Sequence, residues 1–509
     1  MLNRVQAEKR AYNIFFAVIA LLFLACSYVT EFSPLEIWRN SDAFWSFLAD
    51  DFFPPYFPTD IRLWNILSSM VVTLSIALSA TTVAGLLAFG TALFASQLVS
   101  PLPFLAKPVR GLATFLRNIP ALVWAFILFS SLGIGTGVGF VALCITSYAF
   151  MVRAFTETME DMSSDCLESL QAVGATFPQR VVHGVLPSCI SGFLAWFLYC
   201  VEVNVRASAI VGMVGGGGVG MVLFSYLKSF NYHMAFSVIL LIAAVVILVD
   251  LLTGKIRREL DRCIKAFCVT TAVLCTASLV YLDLDWLKLL GRVPDVGVVF
   301  WRLAHLDFKY MDLIAQATAE TISITVLSTL YSVVLGLFFG MLAAANVTRS
   351  RWLSLLVQTS FTFLRAVPTP VWVLLMMVCL GMGPAAGIAG LCVHTTAFFT
   401  RAFSQSFESI PSETLEVLEA TGVGRVGIFT NIVLPAALSQ LIAWIAMRFE
   451  INFSECAILG MIGAGGIGFV ISKSIQSYEY GTAGVAILLV FMLAYSIERA
   501  FVMIKNTIK

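Results

Sequence analysis

Long apolar runs separated by short polar segments dominate the chain. A helix needs about 20 predominantly apolar residues to cross the hydrocarbon core of a bilayer. Runs of that kind predict spans near 12–29, 65–96, 111–131, 136–154, 190–211 and 234–252. A second set is predicted near 266–282, 315–345, 353–380, 384–400, 435–459 and 482–503. The expected protein is therefore all-α and polytopic, with about 12 transmembrane helices, six in each half of the chain. The first run follows Arg4, Lys9 and Arg10 and has no small-residue cleavage site after it, so it is read as an uncleaved first span.

The polar segments set the orientation, because Lys and Arg concentrate in cytoplasmic loops. With the N-terminus inside, the inner segments hold Lys107, Arg110, Arg180, Lys255, Arg257, Arg258, Arg262, Arg349, Arg351, Arg425, Lys505 and Lys509. The predicted outer segment 30–62 carries Glu31, Glu36, Asp42, Asp50, Asp51 and Asp60 against Arg39 and Arg62. Both termini are expected in the cytoplasm, and the lipid bilayer is the first partner.

Composition sharpens this picture. Hydrophobic residues make up 59% of the 509 positions and charged residues 12%. Soluble domains carry about 25% charged residues, so a soluble fold would lack the charge to cover its outside. A net charge of +1 gives no reason to expect nucleic-acid binding. The eleven cysteines are scattered without C-x-x-C or metal-ligand spacing. Cys144, Cys200 and Cys392 lie in apolar runs, where a thiol acts as a small hydrophobe. His183, His233 and His305 have no repeated partner, and His394 in an apolar run reads as a packed residue. No metal site and no bound cofactor are expected. No G-x-x-x-x-G-K-[ST] loop occurs, and Gly254-Lys255 lacks both the upstream Gly and a following Ser or Thr. The chain is accordingly not expected to be an enzyme.

The halves are copies. Glu168-Ser169-Leu170-Gln171-Ala172-Val173-Gly174 precedes Pro187 at the spacing with which Glu416-Val417-Leu418-Glu419-Ala420-Thr421-Gly422 precedes Pro435, an offset of 248 residues. The same offset relates Arg117, Pro120 and Trp124 to Arg365, Pro368 and Trp372, and Glu202 and Asn204 to Glu450 and Asn452. It also relates the run Gly212–Gly220 to Gly460–Gly468. The expected organisation is a first repeat over 1–252, a cytoplasmic linker over 253–265 and a second repeat over 266–509. An even span count per copy gives parallel repeats related by an axis along the membrane normal, an arrangement that suits a pathway between halves.

The segments around 155–180 and 403–425 are amphipathic and fall on the cytoplasmic side. Glu168 and Ala172 are four apart and share a helix face, while Gly174 permits a tight exit. Pro187 and Pro435 mark re-entry into the next span. The Glu-x-x-x-Ala-x-Gly segment with its following Leu-Pro resembles the "EAA" coupling loop of ATP-binding-cassette importer permeases. The glycine runs resemble the type I permeases of the methionine-importer class. Asp51-Phe52-Phe53-Pro54-Pro55, Glu202-Val203-Asn204-Val205-Arg206 with the glycine run after it, and His394-Thr395-Thr396 resemble the phosphonate importer permease. The resemblance covers nearly all of each half. It implies a type I permease fold, two copies of a separate cytoplasmic ATPase that carries the ATP and Mg, and a periplasmic phosphonate-type binding protein. It also implies a bacterial inner membrane and import of a phosphonate or related phosphorus oxyanion. Departures occur where Thr146 stands for His394, Arg206 for Ser454 and Cys200 for Arg448.

Ionisable residues inside the membrane are costly and should face a cavity or a partner. Glu202, Asn204, Arg206, Arg448, Glu450 and Asn452 are the candidate translocation-path residues. In one reading Arg206 and Arg448 meet an anionic substrate with their planar forks. In the other, Glu202 neutralises Arg206, and Glu450 or Glu455 neutralises Arg448. Gly215, Gly217, Gly218, Gly220, Gly463, Gly465, Gly466 and Gly468 are read as a periplasmic gate, where backbone turns let helices approach closely. Pro120 and Pro368 are read as kinks within the third span of each half. The competing function is an ion-coupled secondary transporter with two six-span halves, for which the repeated coupling loop has no ready use. A membrane enzyme would need a clustered nucleophile and base, and none is seen.

Overall fold

The computed structural model describes residues 17–33, 35, 39, 41–162, 164–348, 350–411 and 424–508. Every regular element among them is a helix. Among the described residues, eight helices are long and apolar enough to cross a membrane: Ile61–Ala95, Thr136–Met162, Phe177–Gly216, Tyr232–Leu260, Ile264–Leu282, Met311–Ala343, Phe429–Ala464 and Tyr480–Phe501. Two bent pairs raise the count to ten. Of the twelve expected spans, the first appears as the shorter helix Ala17–Thr30. The tenth appears as Pro384–Glu408, the counterpart of Thr136–Met162.

The third span of each half is corrected. It is two helices meeting at a sharp corner, 87° between Pro103–Arg117 and Ala121–Leu132, and 90° between Arg351–Ala366 and Thr369–Leu380. Proline disfavours the α conformation in the residue before it, and Val367 is extended at φ −79° and ψ 126°. Pro120 and Pro368 then cap the second helix of each pair with ψ 147° and 141°. The helix stops and restarts, so the expected kink is a break. The freed carbonyls at the corner find donors: Trp124 Nε1 donates to Leu116 O at 3.3 Å and Trp372 Nε1 to Leu364 O at 3.1 Å.

The described residues form two compact units, 49–305 and 1–48 with 306–509. These differ from the expected repeat boundaries, because each copy's leading segment packs with the other copy's helices. In the second unit, Phe23 and Phe32 meet the Tyr331 ring edge-on at centroid distances of 5.8 and 6.0 Å. Cys26 is buried there among Ile324, Leu327 and Leu391. In the first unit, Phe267 meets Phe197 at 6.1 Å, Trp286 meets Phe140 at 5.8 Å and Phe300 meets Trp124 at 5.9 Å. The expected linker 253–265 lies within one 51-residue helix, Tyr232–Leu282.

Small residues set the packing inside each unit. Ala77, Ala80, Ala84, Ala88, Ala92 and Ala95 are fully buried along Ile61–Ala95. In the other unit, Gly336 and Gly340 lie against Phe399 and Phe403, where an added Cβ would collide. Lipid tails are as apolar as the side chains, so association in a membrane depends on such close packing and on interhelical hydrogen bonds.

Candidate coupling, gating and path sites

The first coupling segment is a short helix, Ser164–Ala172, with two unlike faces. Leu167 is buried with Val181, Val185 and Cys189, and Leu170 lies against Gly184. Glu168 and Ala172 are exposed on the opposite side, as is Val173. The helix is closed by Gly174 at φ 75°. Gly174 N donates to Gln171 O and Ala175 N to Leu170 O, both at 3.0 Å, which satisfies carbonyls left open at a helix end. A reciprocal Thr176–Gln179 cap starts the next turn. Pro187 enters at the start of Leu186–Val211, behind a wide helical turn at Val181–Val185. Pro435 occupies the same place at the start of Leu434–Leu459, behind Phe429–Val433. Glu416, Ala420 and Gly422 lie outside the described residues.

The glycine runs are helix breaks built alike in both units. Gly215 stands at φ 101° and Gly463 at φ 120°, where an L side chain is strained. Gly217, Gly218, Gly465 and Gly466 also have positive φ, between 72° and 80°. Gly220 and Gly468 touch the carbonyls of Ala209 and Ala457, so neither has room for a Cβ. Each turn is pinned at the same places. Gly135 N donates to Gly215 O at 3.0 Å, and Gly383 N to Gly463 O at 3.1 Å. Val219 N donates to Thr73 Oγ1 and Ile467 N to Thr321 Oγ1, both at 2.8 Å. The second turn has an extra latch, Gly466 N donating to Glu320 Oε2 at 2.6 Å. The runs join helix to helix, so they lack the preceding strand of a dinucleotide-binding fingerprint.

The polar residues inside the helices fall into two kinds. Asn204 and Asn452 are buried hubs. Asn204 Nδ2 donates to Thr81 Oγ1 at 2.7 Å and Ser147 Oγ at 2.6 Å. Asn452 Nδ2 donates to Thr329 Oγ1 at 3.0 Å, and its Oδ1 accepts from Thr395 Oγ1 at 3.0 Å. The charged groups differ between copies. Arg206 Nη2 donates to Glu202 at 2.8 Å and to both oxygens of Asp250 at 2.9 Å. Arg448, 4% exposed, donates to Glu455 Oε2 at 3.1 Å and lies over the Phe398 ring. Thr369 Oγ1 donates to the same carboxylate oxygen at 3.0 Å. Glu450 is half-buried on the same helix.

Residues 88–262 and 336–503 each match the family of binding-protein-dependent transport system inner membrane components, together more than half of the chain. This chain belongs to that family. It is similar to a phosphate-import permease protein, PhnE, of Mycolicibacterium smegmatis, 28% identical over 490 residues that cover 94% of this chain and 91% of the relative. A phosphite transport system permease protein, PtxC, of Stutzerimonas stutzeri is 30% identical over 242 residues, 48% of this chain and 86% of the relative. A putative cryptic phosphonate transport system permease protein, PhnE2, of Escherichia coli is 30% identical over 119 residues, 23% of this chain and 98% of the relative. The two family matches fall one in each copy of the duplication.

As a family member the chain is a membrane-spanning permease subunit of a binding-protein-dependent transport system. Within the chain, several groups escaped the reading of the sequence. Asp250 lies 44 residues from Arg206 and on another helix, yet it is the one acidic residue in the apolar run 234–252. Thr73 and Thr321 hold the glycine turns and are related by the 248-residue offset, a signal that was open to inspection. Glu320 has Val72 as its counterpart, so the repeat gives no hint of it.

Proposed function

We propose that this chain is the permease of an ATP-driven importer for phosphonate or a related phosphorus oxyanion. It works with two copies of a cytoplasmic ABC ATPase and a periplasmic binding protein in a bacterial inner membrane, both of its termini cytoplasmic. The observation that carries the reading is the exposed face of Ser164–Ala172. A helix braced from beneath by Leu167 and Leu170, with Glu168 and Ala172 free, is a rigid handle for a docking partner. Glu416, Ala420 and Gly422 supply the second handle. The charge distribution of the loops supports a cytoplasmic side for both handles. The names of the relatives, for phosphate, phosphite and phosphonate, support the substrate class.

ATP binding draws the partner ATPases together and moves the handles, so the permease alternates between inward and outward access. The glycine turns close the periplasmic end. Glu202, Asn204, Arg206, Arg448, Glu450 and Asn452 are polar groups of the path, the two arginines already compensated by carboxylates. Selectivity then rests chiefly with the binding protein. Pull-down of the chain from its native membrane tests the coupling: an ATPase should co-purify, and transport-linked ATPase activity should vanish when Glu168→Ala and Glu416→Ala are combined. An unchanged coupled rate in that double variant contradicts the proposal.

A further inference from the structure

In the second unit, a polar cavity of about 240 Å³ opens between Arg351–Ala366 and Pro384–Glu408. Arg365 and Arg401 line it, with Gln358, Gln405, Ser404 and Glu408. Comparison with the first repeat shows what is unusual. There the counterpart of Arg401 is Arg153, whose Nε donates to Glu157 Oε1 at 2.8 Å. The counterpart of Glu157 is Gln405, so the carboxylate that neutralises the first guanidinium is an uncharged amide in the second copy. Among the described residues no carboxylate pairs with Arg401. The second carboxylate loses its arginine. Glu160 forms an ion pair with Arg110 and accepts from Gln97 N at 3.0 Å, whereas Glu408 keeps the backbone contact, accepting from Ala345 N at 2.8 Å, with Gln358 in place of the arginine. Gln358 retains only the other contact of Arg110, to the carbonyl of Ala343 where Arg110 bonds Ala95, both at 2.8 Å.

We propose that this cavity is an oxyanion-binding site of the phosphate class, present in the second repeat alone. Guanidinium groups suit tetrahedral phosphorus oxyanions because their planar forks donate paired hydrogen bonds. Arg401 supplies a charge that no carboxylate among the described residues compensates, Arg365 a second guanidinium, and Gln405 and Ser404 neutral polar groups. Glu408 lines the cavity as well, its Oε1 accepting from Ala345 N at 2.8 Å and from Ser404 Oγ at 3.5 Å. The chain leaves Glu408 directly toward residues 412–423, which contain the second coupling segment.

The test is titration of inorganic phosphate into the full-length chain in nanodiscs, read by calorimetry, with no ATPase or binding protein present. Binding can then fail without touching the transport proposal, and the reverse. The expected result is one saturable site per chain. Arg401→Gln should weaken it about tenfold or more. Gln405→Glu should do the same, because a carboxylate four residues beyond Arg401 restores the pairing of the first repeat. Both variants should melt at the wild-type temperature, and Glu157→Gln should leave the site's affinity unchanged. Absence of saturable binding, or affinity unmoved in both variants, overturns the assignment. So does a chain that binds no phosphate but loses affinity for its ATPase partner on Arg401→Gln, since the cavity would then receive a carboxylate of that partner.

Discussion

The two copies agree where side chains bind hydroxyls and backbone N–H groups and differ in their ion pairs. At an offset of 248 residues, Asn204 and Asn452 bind hydroxyls on the same two neighbouring helices. Trp196 and Trp444 each donate to a hydroxyl at 3.2 Å, Thr158 in one copy and Ser406 in the other. Glu160 and Glu408 each accept from the N–H of the same loop position. The ion pairs have been redrawn. The first copy holds Arg206 between Glu202 and an acid on a neighbouring helix, while the second holds Arg448 against Glu455 on its own helix. The physical reason is tolerance. A backbone turn in a dry interior admits few substitutes, because each unsatisfied amide there costs several kcal/mol. An ion pair can be rebuilt from another position so long as the charge is compensated.

That contrast can be broken most severely at the glycine turns. Gly220→Val and Gly468→Val force a side chain into the carbonyls of Ala209 and Ala457, and each should cost about 3 kcal/mol or more. The expected readout is loss of folded, membrane-extracted protein from both variants equally. A difference between the ion pairs should come next. Arg448→Ala removes a buried guanidinium from the half-buried Glu455 and should cost about 3 kcal/mol. Arg206 is less buried, its side chain 24% exposed against 5% for Arg448, so Arg206→Ala should lower the melting temperature less. Equal drops would show that burial does not separate the two pairs. The asparagine hubs should behave alike, Asn204→Ala and Asn452→Ala each costing about 1–2 kcal/mol, checked by matched melting curves. The smallest effect should be Glu320→Gln, about 1 kcal/mol or less. It should alter the second turn alone, seen as faster amide exchange at Gly466 with no change at Gly218.

How far the sequence carried the reading follows from the same contrast. The duplication, the helical class and the short helix that holds Glu168 and Ala172 were legible, because they rest on apolar run length and on a repeat in fixed register. Glu168 and Ala172 did fall on one exposed face. The exchange of leading helices was not legible. Cys26 and Phe32 are apolar residues that any helix could bury, and no local pattern tells which copy takes them. The corners at Pro120 and Pro368 were misread as kinks. The prolines were visible, but the turn angle depends on Ile119 and Val367 leaving the helix and on tryptophan N–H groups covering the freed carbonyls. Glu202 and Glu455 were foreseen as partners of the arginines, while Asp250 was missed, since contact across 44 residues leaves no mark in helical spacing.

The central claim is that the chain imports a phosphorus oxyanion only when driven by an ATPase. The most direct measurement is uptake of labelled methylphosphonate, phosphite and phosphate into liposomes. The chain would be reconstituted alone, then with its co-purified ATPase and binding protein. The account predicts ATP-dependent uptake of at least one of the three in the full assembly, none by the chain alone, and loss of uptake in the combined Glu168→Ala and Glu416→Ala variant. Uptake by the chain alone under a proton or sodium gradient, without ATPase, would contradict it and favour a secondary transporter.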